Sequence, residues 1–294
     1  MRIIRFIAQD SGEPQLAAIT DEGAGYALPY RDYLSLVKVA ESRGASVLEL
    51  VQSSIAAGEP FTADVSDLQL LTPIEAPEVW AAGVTYEKSR EARNYEATAG
   101  KMDASTFYDK VYDAERPELF FKSTAARTVA PGGEVQLRSD SQWQVPEPEL
   151  GLVLDGQGRI IGYTIGNDMS CRDIEGDNPL YLPQAKMWKR SCSIGPAIRL
   201  VDAVPNPYDL DITCSIYRGG EQVFEGKANT KQLKRRLEEL VSFLVRDNEI
   251  YEGTVLLTGT CIVPPNEFTL AGGDRIEIEI GGIGKLINPV ACAG

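Results

Sequence analysis

Alternation at the strand period is clearest near the end of the chain, where Ile276, Ile278 and Ile280 alternate with Glu277 and Glu279, as in a strand with one buried and one wetted face. Apolar runs at Arg2 to Ala8, Gln15 to Ile19, Val79 to Val84, Glu149 to Leu154, Arg159 to Ile165, Ile212 to Tyr217 and Thr254 to Leu257 predict further short strands. Helical spacing is rarer. Leu34 to Glu41 and Val47 to Ala57 predict two helices separated at Arg43-Gly44. Leu233, Leu237, Leu240, Val241 and Leu244 predict a third, with Asn229 and Gln232 spaced as its capping box. Pro73 and Pro77 in Leu71 to Glu78 mark a boundary, because proline restricts its predecessor and cannot donate to a ladder. The expected architecture is α+β, mainly β: a small N-terminal α+β domain over 1–72 and a larger catalytic domain over 78–294. The charged segment 85–116, with Tyr86, Tyr95 and Tyr112, predicts a mobile helical lid on the second domain.

Composition narrows the chemistry. With 29 Lys+Arg against 43 Asp+Glu, the net charge of -14 argues against nucleic acid or an anionic membrane surface as a partner, so an anionic substrate must meet a local cation or metal. The first residues form too short an apolar run for a signal peptide, and a span of about 18 apolar residues is absent from the sequence, so a cytoplasmic location is expected. The 5 cysteines, widely spaced and without a CxxC pair, read as reduced. The decisive count is 0 histidines, which removes Ser-His and Cys-His catalysis and HExxH zinc sites. Carboxylates, lysine, tyrosine, water or an oxygen-ligated metal remain.

Glu147 and Glu149 lie two apart ahead of Leu150 to Leu154, so in an extended chain both leave one face. Asp155-Gly-Gln-Gly158 is a hairpin signal, and the chain returns through Arg159 to Asp168. If Asp155 faces Gly158, Glu149 faces Thr164, Glu147 faces Gly166, and Asp168 becomes a same-face diagonal neighbour of Glu147. Three carboxylates on one side of a hairpin repel unless a cation lies between them. Hard oxygen ligands favour Mg²⁺, with Mn²⁺ or Ca²⁺ as substitutes. A plain edge strand with solvated glutamates is the other reading of this spacing.

The ordered blocks Glu147-x-Glu149, Gly162-Tyr-Thr-Ile-Gly-Asn-Asp-Met-Ser-Cys-Arg-Asp173, Lys186 within Gln-Ala-Lys-Met-Trp, and Leu257-Thr-Gly-Thr260 resemble those of the fumarylacetoacetate hydrolase superfamily over residues 78 to 290. The resemblance implies a mixed β-sandwich roll, a divalent ion held by Glu147, Glu149 and Asp168, and a 2-oxo acid chelated to it. Arg172, Lys186 and Thr260 would then contact substrate. The hydrolytic members carry a lid His-x-x-Glu after a Gly-x-x-Tyr that corresponds to Gly83 and Tyr86; here Ser89 and Ala92 occupy the dyad positions. With Tyr86 to Arg93 and Pro117 to Ser123, the chain is most similar to the branch that dehydrates 2-keto-3-deoxy sugar acids.

That similarity implies an Mg²⁺-dependent hydro-lyase of pentose catabolism, converting 2-keto-3-deoxy-D-arabinonate or a related pentonate to 2,5-dioxopentanoate through a metal-stabilised enolate. Lys186, if burial and cationic neighbours keep it neutral, or Glu87 or Glu91 would serve as the base. Tyr86 and Ser89 would line the substrate site. Rival expectations are a hydrolase of the C–C bond in 2,4-dioxo acids, and an inactive 2-oxo acid binding scaffold. A homodimer or homotetramer is expected from the same resemblance.

Overall fold

The computed structural model describes residues 1–61, 65–98 and 107–292; positions 99–106 of the expected lid lie outside the described residues. Two packed sheets frame the molecule. The larger has 10 strands, and its main path runs Gly25–Leu28, Pro14–Ile19, Arg2–Ile7, Cys192–Leu200, Ile160–Asp168, Pro148–Leu154, Val255–Leu257, Glu78–Gly83, Glu118–Thr124. The smaller has 5 strands: Glu221–Asn229, Asp211–Arg218, Arg275–Ile280, Gly284–Ala291 and Val135–Gln136. The N-terminal strands extend the large sheet directly, through the pairing of Arg2 with Arg199 and Ile3 with Ile198.

The large sheet is covered on both faces. Leu150, Leu152 and Leu154 pack with Ile212, Ile216, Ile276, Ile278 and Ile280 of the small sheet and with Leu240 and Leu244 of the helix Leu237–Val245. On the opposite face, Val153, Ile198 and Val255 meet Tyr33, Leu36, Ala40 and Val51 of the helices Tyr33–Ser42 and Val47–Ala57. This double cover explains why Pro148–Leu154 is buried at every position and reads as a nearly continuous apolar run. The Glu277 and Glu279 alternation is seen as expected, with Ile276, Ile278 and Ile280 inward.

The third helix is shorter than its apolar stripe predicts. Asn229 and Gln232 do form a capping box, but on a single 3₁₀ turn, Thr230–Gln232. The Lys234 N–H then donates to the Thr85 carbonyl, drawing the chain out of helical path, and the helix restarts where the Arg236 N–H donates to the Glu239 carboxylate at 3.3 Å. Leu233 therefore lies outside the helix.

Candidate active site

The hairpin carrying the acidic residues has a different register from the one expected. Glu149 faces Gly166, Pro148 faces Asn167, and Glu147 exchanges backbone bonds with Asp168 at 3.2 and 3.0 Å. Two extra residues account for the shift. The turn closes between Asp155 and Arg159, the Asp155 N–H donating to the Arg159 carbonyl at 3.0 Å and the Arg159 N–H to the Asp155 carboxylate at 2.8 Å; a bulge between Ile160 and Gly162 adds the second. An even shift preserves the face of every side chain, so the three carboxylates converge despite the wrong pairing. Gly166 is small for a reason: a Cβ there would lie 2.3 Å from Leu257 Cδ2.

One ligand oxygen from each of Glu147, Glu149 and Asp168 falls within 4.8 Å of the other two, and all three residues are buried. Their partners differ. Glu147 faces Lys186 Nζ at 2.7 Å and Arg172 Nη2 at 3.1 Å; although burial opposes its ionisation, Lys186, Arg172 and Arg93 pull it down to about 2. Asp168 lies 2.5 Å from Lys122 Nζ. Burial pushes its carboxyl up, with Lys122 and Lys186 opposing. Glu149 accepts the Gly259 N–H at 2.5 Å and has no ion pair among the described residues. Burial and the charges of Asp168 and Glu147 hold it well above the usual carboxylate range.

Around this cluster six carboxylates, Glu96, Glu118, Glu147, Glu149, Asp168 and Glu175, meet four cations, Arg93, Lys122, Arg172 and Lys186. Counted as fully ionised, the group has two negative charges in excess, and Glu149 is the carboxylate without an ion pair among the described residues. A divalent ion would neutralise that excess, and hard carboxylate oxygens suit Mg²⁺.

The backbone around Glu149 explains two quoted sequence blocks. Gly259 stands at φ 93°, where a Cβ would fall 2.0 Å from Thr85 Oγ1; Thr85 donates to the Thr258 carbonyl at 2.7 Å. Val84, β-branched, is held at φ 53° in the same crossing. The turn after Gly83 is thereby locked against Thr258 to Thr260, with Tyr86 buried behind it. The Tyr86 hydroxyl has no hydrogen-bond partner among the described residues, and burial with Cys261 and Glu149 nearby pushes it well up. Thr260 is buried, but its hydroxyl accepts the Ile262 N–H at 3.2 Å, so the Gly259 N–H is what reaches the cluster.

Other expected residues are placed less simply. Glu87 and Glu91 are exposed on the helix Glu87–Thr98. Its inner side carries Arg93 and Glu96, so a helical repeat of 100° turns the two candidate bases toward solvent. Ser89, one turn before Arg93, is half-buried on the inner side. Arg172 is buried, and its guanidinium is divided between Glu96 and Glu147. Burial lowers the proton affinity of Lys186, but Asp168, Glu147 and Glu175 outweigh burial and raise it, which favours the charged form over a neutral base. Lys186 also donates to Ser170 Oγ at 2.6 Å.

Sequence reasoning missed Lys122, Arg93, Glu96, Glu118 and Glu175. Lys122 stands inside the quoted Pro117 to Ser123 block, where a lysine between Phe121 and Ser123 in an apolar strand was the available signal. Glu118 lines a cavity of about 500 Å³ with Arg93, Val111, Pro117, Glu175 and Leu182. Burial pushes its carboxyl up, although Arg93 opposes. One of its lining residues, Glu175, lies 3.5 Å from Lys186 Nζ.

Residues 89–291 match the fumarylacetoacetate (FAA) hydrolase C-terminal family. The chain is 50% identical over 226 residues to the 2-dehydro-3-deoxy-D-arabinonate dehydratase of Saccharolobus solfataricus, covering 77% of this chain and 76% of that protein. It is 44% identical to the probable 2-keto-3-deoxyxylonate dehydratase of Haloferax volcanii, with 95% and 96% covered. Among solved structures, a 2-keto-3-deoxy-D-arabinonate dehydratase complexed with magnesium and 2,5-dioxopentanoate superposes with a TM-score of 0.84 at 39% identity, over 100% of this chain and 99% of that one.

Proposed function

The chain belongs to the fumarylacetoacetate hydrolase family, and on that premise we propose that it is an Mg²⁺-dependent hydro-lyase converting 2-keto-3-deoxy-D-arabinonate, or a related pentonate, to 2,5-dioxopentanoate. The observation that carries the reading is the buried group of Glu147, Glu149 and Asp168 with its uncompensated charge. The likeness to the two dehydratases supplies the reaction class.

Glu147, Glu149 and Asp168 would hold the ion. When bound, it supplies a Lewis acid that polarises a 2-oxo acid and makes its C3 hydrogens acidic. Glu118 is the proposed base, because it faces the cavity and its raised proton affinity brings it toward neutrality. Lys186, whose neighbouring carboxylates favour a proton at Nζ, would donate it to the departing C4 hydroxyl, which leaves as water. A proton then passes from C5 to C3, and the resulting C4–C5 enol tautomerises to the aldehyde, so one water is lost and all five carbons stay joined. Tyr86 and Ser89 sit at the inner start of the helix Glu87–Thr98 as candidate substrate contacts, and Thr260 shapes the turn that fixes Glu149.

We further propose a homodimer or homotetramer in the cytoplasm. An apolar cleft of about 810 Å³, lined by Ile4, Ile19, Leu70, Pro131, Pro196 and Ile287, supports self-association, and five cysteines without a disulfide suit a reducing compartment. No helix among the described residues is long and apolar enough to cross a membrane. The test of function is mass analysis of products from a panel of 2-keto-3-deoxy acids and 2,4-dioxo acids with Mg²⁺. Loss of one water from the former, and no cleavage of the latter, is expected.

A further inference from the structure

The helix Glu87–Thr98 is strongly polar, and Arg93 is its buried residue. Such a helix cannot be held by apolar burial, so its docking must come from specific pairs. The pairs that join it to the helix Arg172–Asp177 are one turn apart and opposite in sign. Arg93 Nη1 meets Glu175 Oε1 at 2.5 Å, and Glu96 pairs with Arg172, the Glu96 side chain being 2% exposed. Both partners stand on the short helix Arg172–Asp177. Next to Glu175 stands Gly176, where a Cβ would be 3.1 Å from both the Cβ and the carbonyl oxygen of Glu96, so a missing side chain lets the two helices touch.

Each pair continues to the metal ligands. Glu175 Oε1 lies 3.5 Å from Lys186 Nζ, which holds Glu147. Arg172 Nη2 lies 3.1 Å from Glu147 Oε1. Both oxygens of Glu147 thus face cations, and any divalent ion must share that carboxylate with them. How strongly Arg172 pulls on Glu147 depends on how much of its charge Glu96 neutralises.

From this arrangement we infer that Glu96 is a positioning residue that couples the docking of the helix Glu87–Thr98 to divalent-ion affinity, acting through Arg172 on Glu147. The inference rests on the metal reading given above. Without Glu96, Arg172 turns its full charge on Glu147 and competes with the ion. In the reverse direction, an ion that draws charge from Glu147 leaves Arg172 freer to hold Glu96, so loading tightens the helix. Linkage requires both effects to have the same size.

The test uses the full chain and Mn²⁺ alone. Calorimetric titration compares the unsubstituted protein with Glu96→Gln, which keeps the side-chain shape, and with Gly176→Val, which pushes the helix away while leaving every charge in place. Both variants should bind Mn²⁺ about fivefold more weakly or worse. Hydrogen exchange of the 87–98 amides should slow on adding Mn²⁺ to the unsubstituted protein and change little in Glu96→Gln. Mn²⁺ affinity within twofold of the unsubstituted protein in folded Glu96→Gln overturns the coupling while leaving the metal site standing. Failure of the unsubstituted protein to bind Mn²⁺ overturns both.

Discussion

The carboxylate hairpin and the helix Glu87–Thr98 face the same buried charges but are held there by opposite means. Pro148–Leu154 is paired on both edges, to Ile160–Asp168 and to Val255–Leu257, and is covered on both faces. Its glutamates are aimed by backbone hydrogen bonds and neighbouring packing, whatever their charge. The helix has one buried residue and reaches the site through Arg93 and Glu96. Ligands that must tolerate mutual repulsion are thus fixed by the sheet, whereas groups that cover the site are attached by the charges they serve. Changes in the hairpin should therefore alter metal affinity with the fold kept or lost according to which cation is orphaned. Changes on the helix should act more weakly and on function.

The largest effect is expected within the hairpin. Asp168→Asn should abolish measurable metal binding and lower stability by about 3–5 kcal/mol, because Lys122 is left buried without its partner. Glu149→Gln should also abolish metal binding yet leave the metal-free protein as stable or more so, since Glu149 has no cation and is repelled by its neighbours. Chemical denaturation of both variants without metal checks the contrast; equal destabilisation would erase it.

Next comes Lys186. As a proton donor at Nζ, Lys186→Met should stop product formation, while exchange of the C3 hydrogens with deuterated solvent persists through Glu118. Glu118→Gln should remove that exchange. Loss of exchange in Lys186→Met with normal exchange in Glu118→Gln would return the base role to Lys186.

A smaller effect concerns pH. Glu149, Asp168, Glu118 and Glu96, the last at about 7, bind protons more readily folded than unfolded. Their stabilising protonation is present at low pH and lost as pH rises, so metal-free protein should become more stable from pH 8 to pH 5.5. Glu147, held at about 2, has the opposite sign, but its contribution is lost only at lower pH. Saturating Mg²⁺ should flatten the slope, and a pH series of urea melts measures it. Smallest of all, Glu87→Gln and Glu91→Gln should leave kcat within about twofold, because both face solvent; a large loss would place the outer side of the helix in the chemistry.

Much of this was legible in the chain. The acidic hairpin could be read because strand periodicity fixes a face without fixing a register, and the two errors in Asp155 to Gly162 happened to add to an even number. The helical layer could be read because Asp32 and Ser46 open compact apolar helices with capping boxes. The strand Glu221–Asn229 could not, since it is an exposed edge whose residues show no apolar alternation. Cys192–Leu200 was hidden for the opposite reason, being buried on both faces and interrupted by Gly195 and Pro196. The surrounding charges were hidden because their pairs join residues 11 to 82 positions apart, as in Glu175 with Lys186 and Arg93 with Glu175. No local pattern marks such pairs, and the exposed or buried fate of Glu91 and Glu96 on one helix is decided by what packs against it.

The central claim is that three hairpin carboxylates make this chain a metal-dependent dehydratase. Its most direct test is to strip the protein of metal, add 2-keto-3-deoxy-D-arabinonate with or without Mg²⁺, and follow every carbon by ¹³C NMR. The account predicts no reaction without the ion and, with it, a single five-carbon product with the signals of 2,5-dioxopentanoate. Full turnover in stripped protein, or release of pyruvate, would contradict it.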